Sequence, residues 1–160
     1  MSEEKKDYGK TLNLPSTDFP MRASLPEREP QIQKDIFENG LYKKILKKNE
    51  GHKTFILHDG PPYANGEIHA GHALNKILKD TIVRYKSMQG YYSPYIPGYD
   101  THGMPTEKKA IEKLGLDRNK IPVTKFRDTC KEFTSTYKEM QTEGFKRLGV
   151  LGDWEHPYVT

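Results

Sequence analysis

Apolar positions change their spacing along the chain, and each change predicts an element. Residues 1–30 show little periodicity and carry Pro15, Pro20, Pro26 and Pro30. They predict an extended arm across the surface, or disorder. From 30 to 49 the residues Ile32, Ile36, Leu41, Ile45 and Leu46 fall at helical intervals. They predict one long helix, or two broken at Asn39 and Gly40, with Pro30 in the first turn. Lys43, Lys44, Lys47 and Lys48 suit the negative end of that helix's dipole, which explains them better than nucleic-acid contact does.

The run TFILH at 54–58 is short and apolar, between Gly51 and a Gly/Pro-rich stretch. It reads as a buried strand. DGPPYANG at 59–66 reads as a loop. Leu74, Ile77, Leu78, Thr81, Ile82, Tyr85 and Met88 then predict a helix over 69–89, stopped by Gly90. Residues 91–96 read as a second strand, ended by Pro97 and Gly98. Strand, loop, helix, strand makes a βαβ unit, hence α/β class with a parallel sheet and a right-handed crossover. Beyond it, residues 107–114 predict a short helix capped by Gly115. Thr124 is the expected N-cap of a longer one. Phe126, Cys130, Phe133, Tyr137, Met140, Gly144 and Leu148 trace its apolar stripe, with Cys130 as core and not as a reactive thiol. Gly149 and Gly152 end that helix and residues 153–158 turn. No charged tail or cap follows, so the chain is expected to be cut in mid-fold.

Composition qualifies this picture. Leu, Ile, Val and Phe number 32 of 160 residues, at the edge of the range where disorder sets in. A net charge of +4 and ten tyrosines favour a folded domain with a thin core. No apolar run approaches the ~18 residues of a membrane span, and MSEEKKDYGK is no secretory signal. Cys130 is the single cysteine, which excludes an internal disulfide framework and a Cys-only zinc site. A reducing, cytoplasmic setting is the default expectation. Residues 101–150 hold 11 Lys/Arg against 7 Asp/Glu. That excess is compatible with phosphate or nucleic-acid ligands, though a solvated helical surface explains it as well.

Two clusters carry chemistry. HDGPPYANGEIHAGH at 58–72 follows the first predicted strand and opens the helix. Ligands of open α/β sheets bind beyond the carboxyl ends of strands, and helix N-termini suit phosphate. His69 and His72, three apart, can share one face and donate to phosphate oxygens whose charge shifts during reaction. Gly71 lets a flat base or ribose approach the backbone. Gly60, Pro61, Tyr63 and Asn65 belong to the same candidate pocket. No P-loop lysine pattern is present. Half a metal site, helix capping by the histidines, and a plain rigid turn at 60–62 remain open as alternatives. The second cluster, GYDTHGMP at 98–105, should face the same crevice. Asp100 can pair with a ligand ammonium group, and Tyr99 and His102 can pack against that ligand. Alternatively, Asp100 caps the helix after Pro105.

HAGH at 69–72 resembles the HIGH signature of class I aminoacyl-tRNA synthetases. The surrounding HDGPPYANGEIHAGHALNKILKD is similar to the isoleucine-specific branch. GYDTHGMP resembles the family's GWDxHGLP element. The tail RLGVLGDWEHPY at 147–158 and the opening TLNLPSTDFPMRASLPEREP at 11–30 are also similar. The resemblance covers nearly the whole chain. It implies the first half of a Rossmann-type catalytic domain at 51–160, preceded by an arm and helical extension at 1–50. It also implies isoleucine activation with ATP and Mg²⁺, transfer to tRNA(Ile), no zinc in this chain, no membrane, and a monomer. By position His69 and His72 would contact ATP phosphates, with Gly71 under the adenine and Asn65 nearby. Gly60 and Pro61 would line the amino-acid pocket, and Asp100 would hold the α-ammonium. Tyr63, Tyr99 and His102 would support the site. Ala70 occupies a variable slot, and Tyr99 stands where Trp is usual, adding a hydroxyl that needs a partner. A Lys-Met-Ser-Lys-Ser signature, an editing domain and anticodon-binding helices are not within these residues, so little activity is expected of the segment alone. The other reading is a stand-alone module that binds nucleotide or amino acid.

Overall fold

The computed structural model describes residues 8–18, 20 and 22–160. One 3₁₀ turn, Gly9–Thr11, precedes an exposed, irregular stretch over 12–17. Residues 1–7, 19 and 21 of the expected arm lie outside the described residues. The arm is also shorter than its prolines suggest, because helix α1 already spans Leu25–Glu38. Pro26, not Pro30, occupies its first turn, and Pro30 sits inside the helix. Gly40, in left-handed conformation at φ 59°, then breaks the run and starts α2, Leu41–Lys48, so two helices form where one or two were expected. Both are tied to the rest by polar contacts. Gln33 donates to the Arg147 carbonyl at 2.5 Å, and Lys43 pairs with Glu155 at 2.8 Å. The Tyr42 hydroxyl donates to the Tyr95 carbonyl at 3.1 Å and accepts from its N–H at 3.0 Å.

Helix α3 spans Ala70–Met88 with His69 as N-cap and Gln89 as C-cap, and Gly90 follows at φ +87°. Its limits are those its periodicity predicts, but its orientation is the reverse. Lys76 and Val83 are buried, whereas Leu74, Ile77, Leu78, Ile82, Tyr85 and Met88 are exposed, Met88 by 81%. The inward face is docked by polar contacts. Asp80, held at 2.6 Å by Arg84 of the same helix, accepts from the Leu151 N–H at 2.9 Å, Arg84 donates to the Gly149 carbonyl, and Asn49 donates to the Ser87 carbonyl at 2.9 Å. Hydropathy spacing cannot register a face held this way.

The sheet is parallel, as a βαβ unit requires, but its strands are brief. β1 is Gly98–Tyr99 and β2 is Tyr158–Val159, paired Gly98 to Tyr158 and Tyr99 to Val159. The run 54–58 contributes only a parallel bridge from Thr54 to Tyr92, and Tyr63 makes another to Asp100. The second strand therefore lies after 91–96, in the place where Pro97 and Gly98 were expected to end it. Pro97 removes one donor, yet its carbonyl accepts from the Tyr158 N–H at 3.0 Å. At Gly98 a Cβ would collide with the Tyr158 ring. Only glycine lets β2 approach this closely.

α4 spans Met104–Leu114 and ends at Gly115 in left-handed conformation. α5 spans Val123–Arg147, with Pro122 and not Thr124 at its N-cap. Its stripe is as expected through Phe126 and Phe133, then shifts by one position. Gln141 and Phe145 are fully buried, whereas Met140 and Leu148 are exposed. Cys130 is half-buried, and burial pushes its thiol up from the ordinary value. Two core clusters, Ala64, Tyr99 and Phe145 on one side and Val83, Tyr95 and Val150 on the other, are joined through Trp154, and Ala110, Phe126, Phe133 and Leu151 are buried as well.

Candidate active site

The two clusters meet at the carboxyl end of β1. The Ala64 N–H donates to the Asp100 carbonyl at 2.9 Å, and the Asp100 N–H donates to the Pro62 carbonyl at 2.8 Å. From α5, the Gln141 amide donates to the carbonyls of Tyr63 at 3.0 Å and Gly66 at 2.7 Å. The loop at 62–66 is thus fastened on two sides, the rigid backbone a preorganised site needs. Gly60 is exposed, Pro61 and Asn65 are half-buried, and Tyr63 is exposed.

His69 caps α3. Its Nδ1 accepts from the Gly71 N–H at 3.1 Å, which leaves Nε2 as the protonated nitrogen of the neutral ring. The His69 and His72 rings stack at 3.9 Å with 20° between planes. A Cβ on residue 71 would come within 3.0 Å of the His69 ring, so Gly71 keeps this pair close. The capping alternative and the paired-donor expectation therefore describe the same geometry. His72 leans edge-on against Phe145 at 6.5 Å. Burial, then the charges of His69 and Lys76, pull its pKa below the ordinary value. Its Nδ1 is buried with no protein partner among the described residues.

Asp100 accepts from the His102 N–H and from the Thr160 hydroxyl, each at 3.2 Å. It forms a turn over His102; the cap of α4 is Gly103. His102 is exposed. Tyr99 is fully enclosed, and its hydroxyl sits 2.6 Å from Thr142 Oγ1. Burial pushes its pKa up to about 12. The ring is enclosed in the core and presents no exposed surface beside Asp100. A crevice of about 770 Å³ opens beyond β1 and β2, lined by Thr101, His102, Thr106, Lys131, Lys138 and Thr160 among others. None of its walls comes from 58–72. The clusters share a sheet edge, not this crevice, because the crevice opens toward α4 and α5.

Beneath both clusters lies a group that spacing did not single out. Asp59 is fully buried and receives Lys76, Lys79 at 2.7 Å and the Gly98 N–H at 2.8 Å. Burial pushes the carboxyl up, but the Lys76 and Lys79 ammonium groups and the Gly98 N–H outweigh it and hold it below its ordinary value. Burial lowers the Lys76 amine, with Asp59 opposing. The one available signal was Lys76 itself, a turn after His72 and off the apolar stripe. Among the described residues Asp153, Glu155 and His156 bring candidate ligand atoms within 4.8 Å, but Glu155 is paired with Lys43 and Asp153 with His156.

These shifts make the folded state acid-labile. Below the ordinary histidine value of 6.5, the unfolded chain takes up a proton that folded His72 resists, so stability falls. The contribution of Asp59 is full above its ordinary value of 3.8 and is lost as the pH drops through its lower folded value. Urea unfolding at about pH 7.5, 5.5 and 3 should show a falling unfolding free energy at each step, by at most about 1.4 kcal/mol per pH unit for each group. His72→Asn should shrink the first step.

The family model for class I tRNA synthetases (I, L, M and V) matches residues 31–160, and the chain belongs to that family. Curated relatives include isoleucine–tRNA ligase of Caldicellulosiruptor saccharolyticus, 60% identical over 154 residues, and that of Carboxydothermus hydrogenoformans, 61% identical over 154. Each alignment covers 96% of this chain and 17% of the relative, so the chain spans about a sixth of their length. Among solved structures, Agrobacterium radiobacter K84 agnB2 LeuRS, in ternary complex with tRNA and LeuAMS, superposes with a TM-score of 0.68 at 23% identity. That match covers 87% of this chain and 16% of the other, a likeness of fold. No described helix is long and apolar enough to cross a membrane.

Proposed function

We propose that this chain carries the phosphate-binding and ammonium-binding half of the isoleucine activation site of an isoleucine–tRNA ligase. Residues 51–160 form the first half of its Rossmann-type domain, and 1–50 an N-terminal extension. The isoleucine carboxylate attacks the α-phosphorus of ATP, the bond to the β-phosphate breaks, and pyrophosphate leaves with Mg²⁺. Isoleucine then passes to the terminal adenosine of tRNA(Ile). His69 and His72 donate to phosphate oxygens of the crowded transition state, and Gly71 lies under the adenine beside Asn65. Gly60 and Pro61 line the amino-acid pocket, and Asp100 holds the α-ammonium, with Tyr63 and His102 at its edge. Positioning and charge stabilisation carry this chemistry, and no side-chain nucleophile is needed. A monomeric, cytoplasmic enzyme with no zinc in this segment completes the proposal.

The observation that carries it is the reciprocal pairing of Ala64 and Pro62 with Asp100. It ties the carboxylate to the loop that delivers the stacked histidines. Pyrophosphate exchange by the complete polypeptide, with isoleucine, valine, leucine and methionine in competition, tests it. Exchange led by isoleucine is expected. Exchange led by leucine or methionine would move the chain to another branch, and no exchange with any of the four would sink the proposal.

A further inference from the structure

The segment 54–63 pairs with 92–100 only at its two ends, through Thr54 with Tyr92 and Tyr63 with Asp100. Nine steps along the first segment face eight along the second (63 less 54, 100 less 92). The first segment holds one residue too many and bows away from its neighbour. Tyr92 and Asp100 use their N–H groups toward this segment, and in a strand Gly98 points the same way. Where the backbone has bowed off, the Asp59 carboxylate takes the Gly98 N–H instead, at 2.8 Å. The same carboxylate takes Lys76 and Lys79 of α3, and its own carbonyl accepts from the Tyr158 hydroxyl of β2. One buried residue thereby touches β1, β2, α3 and the active-site loop.

Each attachment lies one short step from a proposed site residue. Lys76 is one turn after His72, and its ammonium stands 5.1 Å from the centre of the Phe145 ring, the ring that His72 meets edge-on. Gly98 precedes Asp100 by two residues in one extended run, so both N–H groups point one way. Buried ion pairs are often no more stabilising than apolar packing. Stability alone is a poor reason for a carboxylate with two lysines beneath this site.

We infer that Asp59, with Lys76, is a positioning residue that sets the register between the histidine helix and the ammonium-binding carboxylate. This rests on the activation chemistry proposed above. Without the clamp, the phosphate half and the amino-acid half of the site slide relative to each other. Because misplacement by an ångström is felt mostly in turnover, its loss should lower kcat more than it raises KM.

The test uses the complete polypeptide as wild type, Asp59→Asn, Lys76→Met and the double variant, with active sites titrated by the adenylate burst. For Asp59→Asn, isoleucine-dependent exchange per titrated site should fall about 10²-fold, with KM for isoleucine and ATP within about threefold. Lys76→Met should lose about tenfold, and the double variant should be no worse than Asp59→Asn, since both break one clamp. Hydrogen exchange gives a readout free of catalysis. Amides at 71–75 and 98–100 should lose protection together in both single variants, while those of α5 keep theirs. If kcat per titrated site is unchanged, or if those two segments keep their protection, the inference is overturned. Should Asp59→Asn fail to fold, Lys76→Met alone decides on the same readouts. Wild-type protein inactive with isoleucine counts against the proposed function, and the exchange pattern then decides the clamp by itself.

Discussion

Replacing His69 or His72 by alanine in the complete polypeptide should slow pyrophosphate exchange by about 10²-fold or more, a loss near 3 kcal/mol. The expectation follows from where the rings sit. They stack at 3.9 Å over the first turn of α3, beside the positive end of the helix dipole. His69 also caps the helix through the Gly71 N–H, and losing a cap costs only about 1 kcal/mol of stability. The two roles separate in His69→Asn. Asparagine caps as well as any residue, so stability should hold while exchange still falls about 10²-fold. Near-normal exchange in His69→Asn would reduce His69 to a cap. For His72, KM for isoleucine should stay within a few-fold, because the ammonium contact is proposed for Asp100, just beyond β1.

The candidate site was more legible in the sequence than the packing around it. HAGH and DGPPYANG stand out because packing alone seldom places glycines, prolines and histidines at such close spacing. The structure brings that loop and Asp100 together by short backbone pairing. Asp59 stayed hidden for a physical reason. Its partners Lys76, Lys79 and Gly98 are 17, 20 and 39 residues away in sequence, and long-range ion pairs leave no periodic trace. α3 shows the same limit. Its apolar spacing located the helix, yet Lys76, Arg84 and Ser87 dock it through Asp59, Gly149 and Asn49, and the apolar side faces outward. The strands were displaced because the extra residue between Thr54 and Tyr63 breaks the ladder in the middle of the apolar run.

Phe145→Ala should be the most destabilising single truncation on α5, by about 3–5 kcal/mol. The ring is fully buried. It stacks on Trp154 at 6.0 Å, meets the His72 ring edge-on at 6.5 Å and lies under the Lys76 ammonium. Truncation would open a cavity between the core and the histidine turn, bordered by rings and a buried cation that cannot collapse into it. The periodic stripe predicted Met140, Gly144 and Leu148 at this level of the helix instead. Met140 and Leu148 are 44% and 39% exposed, so Met140→Ala should change stability by only about 0.5 kcal/mol. The helix shifts its face because Gln141 turns inward to hold the carbonyls of Tyr63 and Gly66, and Phe145, four residues on, must follow it. Thermal unfolding followed by circular dichroism distinguishes the two faces. A drop of roughly 6–20 °C is expected for Phe145→Ala, and about 2 °C or less for Met140→Ala. Equal drops, or a larger one for Met140→Ala, would return the buried stripe to the positions that periodicity alone selects.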